Sequence, residues 1–76
     1  MTRADDERRR ALTVLAENPD GCSRAIMLAR GFPLSLLNRL VRAGLATSYI
    51  EREERGDKEI EIVRLRITEA GRRALL

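Results

Sequence analysis

Apolar residues recur at helical spacing through the first half of the chain and then switch to alternation. In residues 4–17, Ala11, Leu12, Val14 and Leu15 form a stripe, and Asp5, Asp6 and Glu7 sit in the first turn, where a helix N-terminus favours negative charge. Arg8 and Arg9 or Arg10 stand at pairing distance from those acids. Asn18-Pro19-Asp20-Gly21 stops this helix and turns the chain. Ser23 is placed to cap a short second helix over 24–30, with Ile26, Leu28 and Ala29 as its expected core contacts. Gly31 ends it, and Pro33 falls in the first turn of a third helix over 33–43, where proline is tolerated. In PLSLLNRLVRA the residues Leu36, Leu37, Leu40 and Val41 share one face, while Ser35, Asn38, Arg39 and Arg42 share the other. Gly44 closes this helix, and Leu45 is positioned to fold back on the core.

From Ala46 the period becomes 2. Thr47, Tyr49 and Glu51 alternate with Ser48, Ile50 and Arg52, and a turn centred on Gly56-Asp57 leads into Glu59-Ile60-Glu61-Ile62. The apolar phase then slips by one residue at Val63, Leu65 and Ile67, which predicts a bulge. The stretch 46–67 therefore reads as a two-stranded hairpin. Thr68 is an N-cap candidate for a final helix over 69–75, which Gly71 weakens by about 1 kcal/mol relative to alanine.

Seventy-six residues make a single domain with one small core, for which dimerisation is a natural supplement. No apolar run is long enough to span a membrane, and charges occupy the N-terminus where a signal peptide needs apolar residues. The expected location is the cytoplasm. Fourteen arginines against one lysine fit a GC-rich genome. The formal charge of +3 is unevenly spread. Residues 18–50 and 62–76 each carry a net +3, residues 1–17 are neutral, and residues 51–61 carry −3. The basic excess thus lies around the third helix and at the C-terminus, with an acidic segment between.

Histidine is absent and Cys22 is the one cysteine, which removes the commonest general base, any intrachain disulfide and a zinc site built on paired cysteines. Cys22 reads as a small buried residue. No nucleophile–base pair is evident, so the expectation is a protein that is not an enzyme, with no catalytic residue, metal or cofactor. The polar face of 33–43 is chemically more informative. A hydroxyl, an amide and two guanidinium groups, with no carboxylate among them, are groups that hydrogen-bond base edges and phosphate oxygens. The same pattern also suits a helix that merely shows water its polar side.

Helix, helix, turn, helix, hairpin, helix is the order of a winged helix-turn-helix domain: α+β, mostly α, with a three-helix core, a two-stranded wing and a short C-terminal helix. LVRAGLATSYIERE at 40–53 is similar to the end of the recognition helix and the first wing strand of bacterial regulators of the MarR, PadR and ArsR kinds. LRITEAGRRALL at 65–76 resembles the second wing strand and following helix of the MarR and PadR kinds, with Ile67-Thr68-Glu69-Ala70-Gly71 in place of their Leu-Thr-x-x-Gly phrase. The resemblance implies a transcriptional regulator that binds double-stranded DNA as a homodimer. Ser35, Asn38, Arg39 and Arg42 would face the major groove, with Arg55 and Lys58 at the wing tip beside the minor groove. The chain departs from that pattern in its wing, where Arg55 and Lys58 stand among Glu51, Glu53, Glu54, Asp57, Glu59 and Glu61. An alternative expectation follows: a protein-interaction module on the same fold, using the acidic hairpin 51–61 and binding no DNA.

Overall fold

The structure is a computed structural model that describes residues 2–76. It is α+β, mostly α, with four helices and one three-stranded antiparallel sheet. Helix α1 runs Arg3–Glu17, strand β1 Cys22–Ser23, helix α2 Arg24–Ala29 and helix α3 Leu34–Arg42. Strands β2 (Ala46–Arg55) and β3 (Lys58–Ile67) follow, and helix α4 (Glu69–Arg73) closes the order.

Each helix starts on a residue with a physical reason to be there. Thr2 caps α1 through a capping box: its hydroxyl accepts from the Asp5 amide at 3.2 Å, and the Asp5 carboxylate reaches back to the Thr2 amide. Ser23 caps α2 by accepting from the Ile26 amide at 3.1 Å, and Thr68 caps α4 by accepting from the Gly71 amide at 3.0 Å. Pro33 stands just outside α3 as its N-cap rather than within its first turn. Of the arginines expected to pair with the acids of α1, Arg8 reaches Asp5 at 3.7 Å. Arg9 instead donates to the Leu75 carbonyl at 2.8 Å, tying α1 to the C-terminus.

The helices pack on one face of the sheet. Ala11, Leu12 and Leu15 of α1, Met27 of α2, Phe32, and Leu36, Leu37 and Leu40 of α3 close over Cys22, Ala46, Leu65 and Ile67. Here α2 differs from the sequence expectation. Met27 is wholly buried, whereas Ile26 and Leu28 are 50% and 41% exposed and Ala29 is exposed too. A six-residue helix has a single inward position near its middle, and that position belongs to Met27.

The sheet also corrects two expectations. It has three strands, in the order β1-β3-β2, because Cys22 and Ser23 pair with Leu65 and Arg64. Two extended residues between a turn and a helix carry no readable period, yet their backbone groups need partners and find them on β3. The hairpin holds no bulge. Its register is unbroken from Ala46↔Ile67 to Arg55↔Lys58. The phase slip has another cause: Leu65 and Ile67 face the helices, whereas Ile60 and Ile62 lie farther out and on the opposite face of the strand. The hairpin outgrows the body that it packs on, which makes the molecule 49 Å long against 23 and 20 Å across.

The base of the hairpin is knotted at Thr68. Its amide donates to the Leu45 carbonyl at 3.0 Å and its hydroxyl to the Gly44 carbonyl at 2.6 Å. Gly71, three residues on, lies against the Leu45 carbonyl oxygen and Ile67 so closely that a Cβ would overlap both. The residue that weakens α4 by propensity is the one that lets it dock.

Candidate nucleic-acid interface

Helix α3 presents two chemically opposite faces. Leu36, Leu37 and Leu40 are at most 4% exposed and Val41 is half-buried, while Ser35, Asn38, Arg39 and Arg42 point outward. Burial of three leucines, each stabilising by about 1.5–3 kcal/mol, fixes the rotation of the helix and hence the direction of its polar side. Among the described residues, Ser35, Asn38, Arg39 and Arg42 enter no side-chain hydrogen bond or ion pair. Arg39 and Arg42 do benefit from the carbonyl end of the helix, which favours cations in its last turn.

Two grooves flank this face. One lies between α3 and the start of α1, with Leu36, Leu40 and Leu45 at its floor and Arg8, Arg39, Arg42 and Asp5 along its sides. Asp5 is held below the ordinary carboxylate value, first by the Thr2 side chain, then by the Thr2 backbone, with the Arg8 guanidinium adding to it. It remains a fixed negative charge at the far edge of that groove. The second groove lies between α2, α3 and β2, where Arg24, Asn38, Arg42 and Ser48 surround Leu37, Val41 and Leu65. Arg24 is therefore a neighbour of the α3 face that spacing along the chain does not reveal. The available signal was its position, directly after the Ser23 cap in the helix preceding α3.

The six candidate residues do not form one site. Four share the face of α3. Arg55 and Lys58 are opposite each other at the far end of the hairpin, ten residues along strands that begin beside α3. Ten strand residues span about 30 Å. Arg55 pairs with Glu53 at 3.6 Å and shares a groove with Arg24, not with α3.

The acidic segment is cross-linked by its own arginines. Arg52 reaches Glu59 at 3.8 Å and Glu61 at 3.6 Å on one face of the hairpin. On the other face, Arg64 is held by Glu51 and also lies 3.8 Å from Glu53. Glu54 and Asp57 make no ion pair among the described residues. The exposed pairs made by Arg52 contribute about 0–1 kcal/mol each, whereas those of the half-buried Arg64 are better shielded from water. Tyr49 adds a further contact: its ring lies 5.4 Å beneath the Arg66 guanidinium.

Cys22 is buried and unpaired. Among the described residues, no group of three or more His, Cys, Asp or Glu side chains is arranged to hold a metal ion, and no helix is long and apolar enough to cross a membrane. No family model, curated protein or solved structure matches the chain.

Proposed function

We propose that this chain is a winged helix-turn-helix module, akin to regulators of the MarR, PadR and ArsR kinds, that binds double-stranded DNA with α3 in the major groove. In this reading it is a bacterial, cytoplasmic transcriptional regulator acting as a homodimer, and it has no catalytic residue or cofactor. The observation that carries the reading is the outward face of α3: four hydrogen-bonding side chains, two of them guanidinium groups, with no carboxylate and no partner among the described residues. A nine-residue helix is about 14 Å long, which suits a groove roughly 12 Å wide.

Asn38 and Arg39 are assigned to base edges, since an amide matches adenine and a guanidinium matches guanine in bidentate fashion. Ser35, Arg42 and Arg24 are assigned to phosphates. Arg55 and Lys58 lie outside the proposed interface. They stand beside Glu54 and Asp57, and a carboxylate about 4 Å from a phosphate costs on the order of 1 kcal/mol even in water.

Titration with a pool of random-sequence duplexes at low salt tests this. The expected result is saturable binding whose log affinity falls with log salt at a slope of about −0.9 per phosphate neutralised. Arg39→Ala and Asn38→Ala are expected to cost about 1–3 kcal/mol each and to relax base preference, while Arg55→Ala changes little. Unchanged amide signals for residues 35–42 at saturating duplex would overturn the reading.

A further inference from the structure

The outer half of the hairpin is excluded from the DNA reading, and its two edges are not alike. Along β2, five successive charged residues from Glu51 to Arg55 guard the edge on both faces. The free edge of β3 is guarded differently. β1 covers it only at Arg64 and Leu65, so residues 58–63 offer their outward backbone groups to solvent. Those residues alternate: Glu59 and Glu61 on one face, Ile60 and Ile62 on the other. Beside this edge stands α2, whose Ile26 is 50% exposed and whose Leu28 is 41% exposed. Ile26, Leu28, Ile62 and Val63 line one groove between helix and strand, whose walls also carry Arg24, Arg55 and Arg64 against Glu53 and Glu61.

We propose that this edge is a docking site for an extended partner segment in which basic and apolar residues alternate, added as a further strand antiparallel to β3 in line with β1. Backbone pairing supplies affinity, and alternate side chains supply specificity. Lysine or arginine on one face of the added strand meets Glu59 and Glu61, whose shared Arg52 leaves this pair of acids with an excess negative charge. Apolar residues on the other face meet Ile60 and Ile62, while the end of the added strand nearest β1 comes beside Ile26 and Leu28 of α2. A second copy of the same edge is a poor occupant, because its own Glu59 and Glu61 would bring carboxylates into the acidic face. The acidic hairpin thereby acquires a role independent of DNA binding by α3.

The test uses the full chain and three synthetic peptides of six residues: alternating lysine and valine, alternating glutamate and valine, and a scrambled lysine–valine control. The lysine–valine peptide is expected to protect amides within residues 58–63 from hydrogen exchange and to shift the signals of Ile26 and Leu28, leaving residues 35–42 unmoved. Glu59→Lys with Glu61→Lys is expected to weaken it by about tenfold, as loss of two exposed pairs and their reversal implies. Ile26→Ser, a surface change that spares the core, is expected to weaken it without altering the melting curve. Equal binding of the glutamate peptide or of the scrambled control would overturn the proposal. So would absence of protection at 58–63, or protection that appears without peptide as protein concentration rises, which would make a second copy the occupant. DNA titration of the Ile26→Ser variant keeps the two functions apart, since it weakens peptide binding while leaving the α3 interface and the charge of the chain unchanged.

Discussion

The Tyr49 hydroxyl donates to the Asp20 carbonyl at 2.8 Å, so a residue of the hairpin reaches the turn that separates α1 from β1. Between them lies Gly21, with φ at +108° and its Cα directed at the tyrosine, so that a Cβ there would overlap the hydroxyl. Ring, turn and glycine form one contact that fixes the hairpin base against the start of the second helix. Tyr49→Phe is expected to cost about 0.5–1.5 kcal/mol, the net worth of one hydrogen bond. Gly21→Ala should cost more, because it adds backbone strain to the lost contact. Urea unfolding of both variants, followed by circular dichroism, measures the difference.

Gly71→Ala sets two effects against each other. Helix propensity favours alanine by about 1 kcal/mol, while overlap with the Leu45 carbonyl oxygen and Ile67 opposes it by about 1–3 kcal/mol. Backbone yields less readily than a side-chain tip, so the expected net result is destabilisation and a lower melting temperature. Arg72→Ala, at an exposed position of the same helix, is the matched control and should fall within about 0.5 kcal/mol of the parent. A stabilised Gly71→Ala protein would show that α4 docks elsewhere.

The orientation of α2 is open to a direct check. Met27→Ala is expected to cost about 2–5 kcal/mol, and Ile26→Ala and Leu28→Ala far less than that. The reverse order would restore the face that the sequence alone pointed to. Equilibrium unfolding of the three variants decides it.

Asp5 provides a pH signature. Its carboxyl is held below the usual 3.8 by the Thr2 side chain first, so the capping box is favoured by the ionised form. The folded value is the depressed one. The contribution is therefore present above about pH 4 and is lost as the pH falls through the folded value. Thr2→Ala is expected to move Asp5 towards 3.8, leaving the backbone amide of residue 2 and Arg8 as the smaller influences. Carboxyl carbon shifts recorded during an acid titration report this without relying on overall stability.

The long periodic elements were legible in the sequence because their ends are punctuated. Asn18-Pro19 stops α1, Gly44 follows α3, and Gly56-Asp57 turns the hairpin, so each stripe between them has one plausible period. The failures occur where an element is too short to have a period. In Arg24–Ala29 the run Ile26, Met27, Leu28 offers three adjacent apolar residues, and only the packed core selects the middle one. Cys22–Ser23 is a strand solely because β3 passes beside it. The supposed bulge was a boundary effect: the apolar phase changes where the hairpin leaves the body, a position that depends on the size of the helical layer. The α3 face was legible in full, since its four polar residues follow from helix geometry. Its neighbour Arg24 was not, since that proximity arises from the fold of the turn between α2 and α3.

The knot at Thr68 means that the hairpin leaves the body and returns to it through almost the same point, with Gly44 and Leu45 on one side and Thr68 on the other. Of the two hairpin strands, the buried core uses Ala46, Leu65 and Ile67, all within the basal rungs. Everything beyond behaves mechanically as a cantilever clamped at its root. Residues near the tip are thus released from the constraints of folding, and a lineage can exchange their length or charge without altering the helix that it carries alongside.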